Sequence, residues 1–159
     1  MAEAIALSTI GVKIGYAIET TKGTRPTSGY THIKGIKSSP DMNVAPSTAD
    51  TTTFDNQEYT THIDLLKEMP DTLEFNAQFS QELYNTWDTL CSQSVTGLQS
   101  GLNTWFCIDI PGFDKTIYFT GKPAKMGIPA METNSAIEVP LYVVPTGEPV
   151  FEADPTFNN

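Results

Sequence analysis

Positive charge is scarce in this chain. Nine Lys and Arg stand against nineteen Asp and Glu in 159 residues, giving a net charge of −10. DNA-binding surfaces work by neutralising phosphates with Lys and Arg, and no basic run occurs anywhere in the sequence. The balance argues against direct DNA binding and suits a role in which DNA passes without sticking. Cysteine is equally rare. Cys91 and Cys107 have no CxxC spacing and make no disulfide framework, so both read as small buried hydrophobes. The two histidines, His32 and His62, lie on separate segments without a metal-ligand spacing such as HExxH. The start, Met1 to Leu7, lacks a basic region and has too short an apolar run for a signal peptide. No stretch is long enough to span a membrane. The chain is therefore expected to be made in the cytoplasm and to leave by another route.

Catalytic signatures are absent too. There is no GxSxG elbow and no Walker-type loop, and the glycines between Gly23 and Gly29 lack the strand-to-helix context of a phosphate cradle. Carboxylates are plentiful but scattered. Glu74, Asp109 and Glu138 fall on the polar faces of three predicted strands. They read as solvated strand faces, as the lining of a wet, negatively charged channel in an oligomer, or as a glycosidase pair if two met across one cleft. The sequence carries no motif for the last reading, and no catalytic residue, metal or cofactor is implied.

What the chain does have is Thr, Gly, Pro and aromatic residues. Hydrophobic residues make up 39% and charged residues 18%, a mixture that favours strands and turns. Val12 to Glu19 alternates, with Val12, Ile14, Tyr16 and Ile18 on one face. A turn-rich stretch, Thr21 to Gly29, precedes a shorter strand near Tyr30 to Lys37, where Gly35 interrupts the alternation. Thr72 to Phe79 is the clearest strand, with Leu73, Phe75, Ala77 and Phe79 on one side. The period then changes. Ser80 is placed as an N-cap, Glu82 falls in the first turn, and Leu83, Trp87, Leu90 and Cys91 form one stripe of an amphipathic helix over about residues 80–93. Thr104 to Ile110, a Pro111–Asp114 turn and Lys115 to Thr120 read as a hairpin. Gly121 to Asn134 reads as a loop. Ala136 to Val144 is the last strand, and Pro140 marks it as edge or bulged.

Three segments do not fit a core. Residues 1–11 form an N-terminal arm. Residues 38–70 carry Pro40, Pro46, Pro70 and the run Thr51, Thr52, Thr53, with few aliphatics. That stretch is either a surface loop or, between Ala49 and Ile63, a hairpin arm that needs a partner surface. Residues 145–159, with Pro145, Pro149, Pro155, Phe151 and Phe157, read as an extended C-terminal arm outside the core. One domain, 12–144, lies between the arms.

Four stretches carry a resemblance: IGYAIETTKGTRPTSGYTHIKGIKS (Ile14 to Ser38), LYNTWDTL (Leu83 to Leu90), TWFCIDIPGFDKTIYFTGKPAKMGIP (Thr104 to Pro129) and NSAIEVPLYVVPTGEPVF (Asn134 to Phe151). Together they resemble the major tail proteins, the tail-tube subunits of siphophages of low-GC Gram-positive hosts. Residues 38–70 and the last eight match less clearly. The resemblance implies a mainly β, tail-tube-type β-sandwich or barrel with one flanking helix. It also implies hexameric rings stacked into a tube in the virion. The implied partners are further copies of the chain, a tape-measure protein, tail-end proteins and DNA in transient passage, with no membrane anchor. On that basis Glu74, Asp109 and Glu138 are candidates to face the lumen. Thr51, Thr52, Thr53, Phe54, Tyr59 and Phe151 are candidates for contacts between rings. The alternative is a carbohydrate-binding or adhesion β-sandwich of a baseplate or cell-surface protein, using exposed aromatics such as Trp105 or Tyr142.

Overall fold

The computed structural model describes residues 6–43, 45–55, 58–66 and 70–158. Its strands are β1 (Lys13–Ile18), β2 (Ser28–His32), β3 (Ile36–Ser38), β4 (Thr48–Asp50), β5 (His62–Asp64), β6 (Leu73–Gln78), β7 (Thr104–Asp109), β8 (Thr116–Pro123), β9 (Glu138–Pro145), β10 (Val150–Glu152) and β11 (Thr156–Asn158). One helix, α1 (Gln81–Gln99), lies between β6 and β7. The protein is mainly β. Its main sheet is curled, with strand order β11-β2-β1-β7-β8-β9-β6-β3 and with β10 also beside β8; β4 and β5 form a separate pair.

The curl originates in β8. Along its first half β8 lies between β7 and β10, with Ile117 opposite Phe151; along its second half it pairs with β9, with Gly121 opposite Pro145. Gly121 sits at the handover. A Cβ there would lie 2.4 Å from Val143 Cγ1 and 3.2 Å from the Val144 carbonyl oxygen, so only glycine lets β9 come this close. The two halves fold toward each other around one core. Ile14, Tyr16, Phe106, Ile108 and Phe119 come from one half, and Leu73, Phe75, Ala77, Val139, Leu141 and Val143 from the other. Phe119 stacks between Phe106 (ring centroids 5.3 Å) and Phe75 (6.2 Å) and joins the halves.

The helix closes the core. Ser80 accepts from the Leu83 amide at 3.1 Å, as its N-cap position requires. Leu83, Trp87, Leu90 and Cys91 are buried, and each of the three largest contributes about 1.5–3 kcal/mol by leaving water. The Trp87 indole N–H donates to the Ala124 carbonyl at 2.8 Å. The helix runs past the expected end near residue 93 to Gln99, because its buried stripe continues with Ser94 and Gly97. Those residues are too small to register as apolar periodicity. Ser94 and Thr104 share a 2.9 Å hydroxyl bond, and a Cβ on Gly97 would lie 3.1 Å from Ile18. Gly101, at φ +75°, ends the helix in the left-handed region.

Four other expectations change. The stretch Tyr30 to Lys37 is two strands, β2 and β3, in opposite halves of the sheet. Gly35 (φ +94°) makes the turn between them, and its carbonyl accepts from the Gln78 amide at 2.8 Å. Strand β1 is buried on both faces, since Ala17 joins Tyr30, Cys107 and Tyr118 in a second cluster behind the sheet. Strand β9 is a sheet edge only in part: β6 pairs with it without a break along one flank, and β8 covers the other flank from Val143 onward, leaving that flank open at Pro140. Pro140 is tolerated because it faces Asn76 at a pair without ladder bonds. Its nitrogen thus points to the flank from which β8 has already departed, where no donor is needed. Finally, the C-terminal segment is not outside the core. It returns as β10 beside β8 and β11 beside β2, and Phe157 packs on the second cluster.

Replacing Gly121 with Ala is expected to destabilise the fold by about 1–3 kcal/mol, the usual cost of overpacking. Gly127→Ala, with nothing within 4 Å of the new methyl group, is expected to leave the denaturation midpoint unchanged. Equilibrium unfolding in urea of both variants checks the pair.

Candidate assembly surfaces

The clearest surface is an arm. Among the described residues, strands β4 and β5 pair only with each other, Ala49 opposite Ile63. The ends of the arm meet, the Leu65 amide donating to the Ser47 carbonyl at 2.6 Å. The threonines hold its upper part. The Thr51 amide donates to the Thr61 carbonyl at 2.8 Å, and the two hydroxyls of this pair lie 3.0 Å apart. Thr52 Oγ1 accepts from the Thr61 amide at 2.8 Å. The Thr52 hydroxyl and amide hold the Asp50 carboxyl below the ordinary carboxylate range. Thr53 lies beyond the ladder. Phe54 is fully exposed, as are most of Tyr59 and Leu66. Exposed apolar surface of this kind marks a site of contact with another molecule.

At the foot of the arm lies a groove of about 1350 Å³, lined by Val12, Ile36, Met42, Ile110, Ile117 and Phe151 among others. Phe151, on β10, is half exposed and meets the Phe113 ring edge-on at 6.1 Å. It therefore stands apart from the arm threonines. The described part of the N-terminal segment runs beside the Pro111–Gly112 turn, where Leu7 and Pro111 lie against Gly112 and Gly11.

The three carboxylates do not converge. Glu74 and Glu138 share the outer face of the β6–β9 pair, where Glu74 is exposed and Glu138 half-buried. Glu138 accepts from the Lys37 ammonium and from Asn76 Nδ2 at 3.4 Å, tying β3, β6 and β9 together across that face. The Lys37 hydrogen bond, then the Asn76 bond, then the Lys37 charge hold its carboxyl below the usual carboxylate range. Asp109 lies in the other half. Its carboxylate is 3.5 Å from the Thr116 hydroxyl, which donates at 2.7 Å to Asp154 in the returning tail.

Behind β1, β2, β7 and β8 the outer face is covered, not wet. Cys107 is fully buried there and its thiol is pushed up to about 12 by burial; Cys91, buried under the helix, is pushed up to about 11, chiefly by burial. Both stay protonated and unreactive. The Tyr118 hydroxyl donates to the Ala153 carbonyl at 2.5 Å, and the Arg25 guanidinium lies 4.2 Å from the Tyr118 ring centre. His32 meets the Phe157 ring edge-on, and burial first, then Lys13 and Lys34, lower its pKa. His62 sits on the exposed arm.

One buried group escapes sequence reading. Glu19, expected on a polar strand face, is almost fully buried and accepts from the Asn103 amide (2.8 Å), the Trp105 indole N–H (2.9 Å) and the Gly23 amide (3.4 Å). It locks the end of β1 to the start of β7. Its only signal in the sequence is Gly15 and Ala17 on the same face, small residues that admit a covering layer.

No protein-family model matches the chain, and no curated protein does. Solved structures do match. A chain of the anti-feeding prophage (AFP) baseplate, solved with 6-fold symmetry, superposes with a TM-score of 0.57 at 8% identity, covering 96% of this chain and 97% of that one. A chain of the tail of an empty GTA particle, with C6 symmetry, gives 0.58 at 15% identity, covering 93% and 100%. The fold of this protein is thus the fold of these tail and baseplate chains, end to end.

The Lys37–Glu138 tie carries a pH test. Because the folded pKa of Glu138 is depressed, the tie is whole above the ordinary carboxylate range and is lost as pH falls through that lowered value. An NMR titration of the Glu138 carboxyl carbon is expected to give a lower midpoint in the native chain than in Lys37→Ala. Equal midpoints would remove Lys37 as the cause.

Proposed function

We propose that the chain is a structural virion protein, the major tail protein of a long-tailed phage of Gram-positive hosts. Copies of it form hexameric rings that stack into a tail tube, the conduit for DNA ejection. The observation that carries this reading is the near full-length likeness to chains of two assemblies solved with six-fold symmetry. Three further features support it. The sheet leaves strand edges open, and edges left open invite pairing with another chain. The β4–β5 arm leaves Phe54 and half of Ile63 in water, exposed apolar surface of the kind that marks a contact with another molecule. The net charge of −10 repels phosphate, so DNA moves past without adhering.

In this reading a head-to-tail contact between subunits repeats by rotation until the ring closes. The arm, and Phe151 beside the groove, meet the next ring. Glu74 and Glu138, on one open face, are the carboxylates placed to line the lumen, while Asp109 is set against the tail. A tape-measure protein and tail-end proteins are the further partners. No residue has a catalytic role, and no cofactor or metal is needed. No helix among the described residues is long and apolar enough to cross a membrane. The carbohydrate-binding alternative has less support, since Trp105, one of its two candidate platforms, is half-buried with its N–H on Glu19.

Deleting residues 45–65 is the direct test. The ends of the deleted arm already touch, so the domain is expected to fold with an unchanged unfolding midpoint. Sedimentation of the concentrated variant is expected to show monomer where the full chain sediments as polymer. Normal tubes from the deletion would remove the arm from the mechanism.

A further inference from the structure

The β4–β5 arm has two unlike faces. Thr48 lies opposite Asp64, Ala49 opposite Ile63 and Asp50 opposite His62. Side chains alternate along a strand, so Ala49, Ile63 and Leu65 share one face while Asp50, His62 and Asp64 share the other. On the first face Ile63 is 53% exposed and Leu65 49%. Residues 45–66 carry Asp50, Asp55, Glu58 and Asp64 and no Lys or Arg. The arm is thus an acidic ribbon with one apolar side. Its ladder runs from Ser47 and Leu65 at the foot to Thr52 and Thr61, a span of about 17 Å at roughly 3.3 Å per residue.

The groove at the foot of the arm has the matching character. Its lining is largely apolar, and at about 1350 Å³ it exceeds the roughly 300–1,000 Å³ of small-molecule sites. Among the described residues of the arm, Leu66 at the foot lines it, and Ala49, Phe54 and Ile63 do not. The charged side chains of the lining balance, Lys34 and Lys37 against Asp41 and Glu148, in a chain whose net charge is −10. Lys34 lies 3.6 Å from Glu82 and Lys37 is tied to Glu138, yet both lysine side chains stay more than half exposed. Each ammonium carries three donors. An acidic ribbon laid over this groove therefore meets two accessible cations on an otherwise acidic chain.

We propose that the groove is the seat for the β4–β5 arm of a second copy, which enters with its apolar face inward and its carboxylates beside Lys34 and Lys37. This seat rests on the ring reading given above and specifies where the arm of one ring lands on the next. Size, surface and charge select the occupant. The volume suits a chain segment, the Ala49–Ile63–Leu65 face supplies apolar side chains for the lining, and the arm's one-sided charge meets the two lysines. The arm is rooted beside its own groove without lying in it. It therefore fills a neighbour's groove and leaves its own for another copy. Such a contact joins two different surfaces and repeats from copy to copy wherever rotation does not close it, as a stack of rings requires.

Cross-linking between copies tests this, and the native Cys91 and Cys107 are buried and do not interfere. Thr53, next to the arm tip, and Ser39, in the groove lining, are both exposed. Thr53→Cys and Ser39→Cys chains are mixed, assembled under reducing conditions and treated with a short bis-maleimide, and the bridges are located by mass spectrometry. Each chain has one accessible thiol, so every bridge joins two copies. A mixture of Thr53→Cys with Gln93→Cys, whose site is exposed on the helix, is the control. Bridges from 53 to 39 are expected in the polymer, well above those from 53 to 93. Polymer in which residue 53 bridges only to itself, or equally to both sites, would overturn the seat and leave the ring reading standing. Ile63→Asp, a change on the exposed arm, is expected to keep the circular dichroism of the native chain. It is also expected to raise the concentration at which polymer first sediments roughly ten- to hundredfold, the equivalent of one buried aliphatic side chain. An unchanged threshold would likewise overturn the seat. Absence of polymer from the unsubstituted chain under every condition overturns the ring reading and the seat with it.

Discussion

The handover of β8 between two partners at Gly121 is the constraint on which the rest of the structure depends. A strand has two flanks. One flank of β8 is taken by β7, and the other is shared, with β10 along the first half and β9 along the second. The close approach at Gly121 bends the sheet so that Phe119 reaches both Phe106 and Phe75. One core therefore serves both halves, and the helix seals it through Leu83, Trp87 and Leu90. The same bend prevents closure. When β8 leaves β10 for β9, the first half of β9 keeps one unpaired flank, and Pro140 blunts it by having no N–H to offer. The sheet ends at β11 on one side and at β3 on the other.

A domain built this way has stability in its core and unmet bonding capacity at its rim. The interior needs no partner. The core aromatics are buried, and even Glu19, the one deeply buried carboxylate among the described residues, has three donors. The rim differs. Burying a side chain such as Phe54 or Leu66 is worth about 1.5–3 kcal/mol, and none of that is gained in the isolated arm. Association must also repay lost rotational and translational freedom, so one weak contact does not suffice. In the proposed tube, edge pairing around a ring and arm contacts between rings supply many at once. The excess of acidic residues adds repulsion between copies that salt weakens, so the proposed assembly is expected to depend on ionic strength.

Much of the fold is legible in the sequence where a single physical signal dominates. The alternation of Leu73, Phe75 and Ala77 locates β6, the shift to Leu83, Trp87 and Leu90 marks the helix, and Ser80 caps it as read. The threonines after Ala49 indicate an arm. The signal fails where small residues do the packing. Ser94 and Gly97 extend the helix without apolar periodicity, and Gly15 and Ala17 bury the back of β1 while looking like its solvent face. It fails again where a contact depends on distant sequence. Nothing near Phe157 tells of Tyr30 or Gly15, and Asp109 looks like Glu74 until Asp154 arrives beside it. The Pro140 strand is an edge at its start and internal at its end because pairing on its two flanks begins at different residues, a matter of register that local composition does not encode. Assembly surfaces are legible mainly as segments that lack a reason to fold alone.

Cryo-electron microscopy of polymer formed by the purified, concentrated chain tests the central claim most directly. The account predicts hollow tubes of stacked six-subunit rings, with strand pairing continuous from the sheet of one subunit into the next and the arm residues buried against the adjacent ring. Polymer whose subunits touch only through side chains, with every sheet edge still ending in solvent, would contradict it.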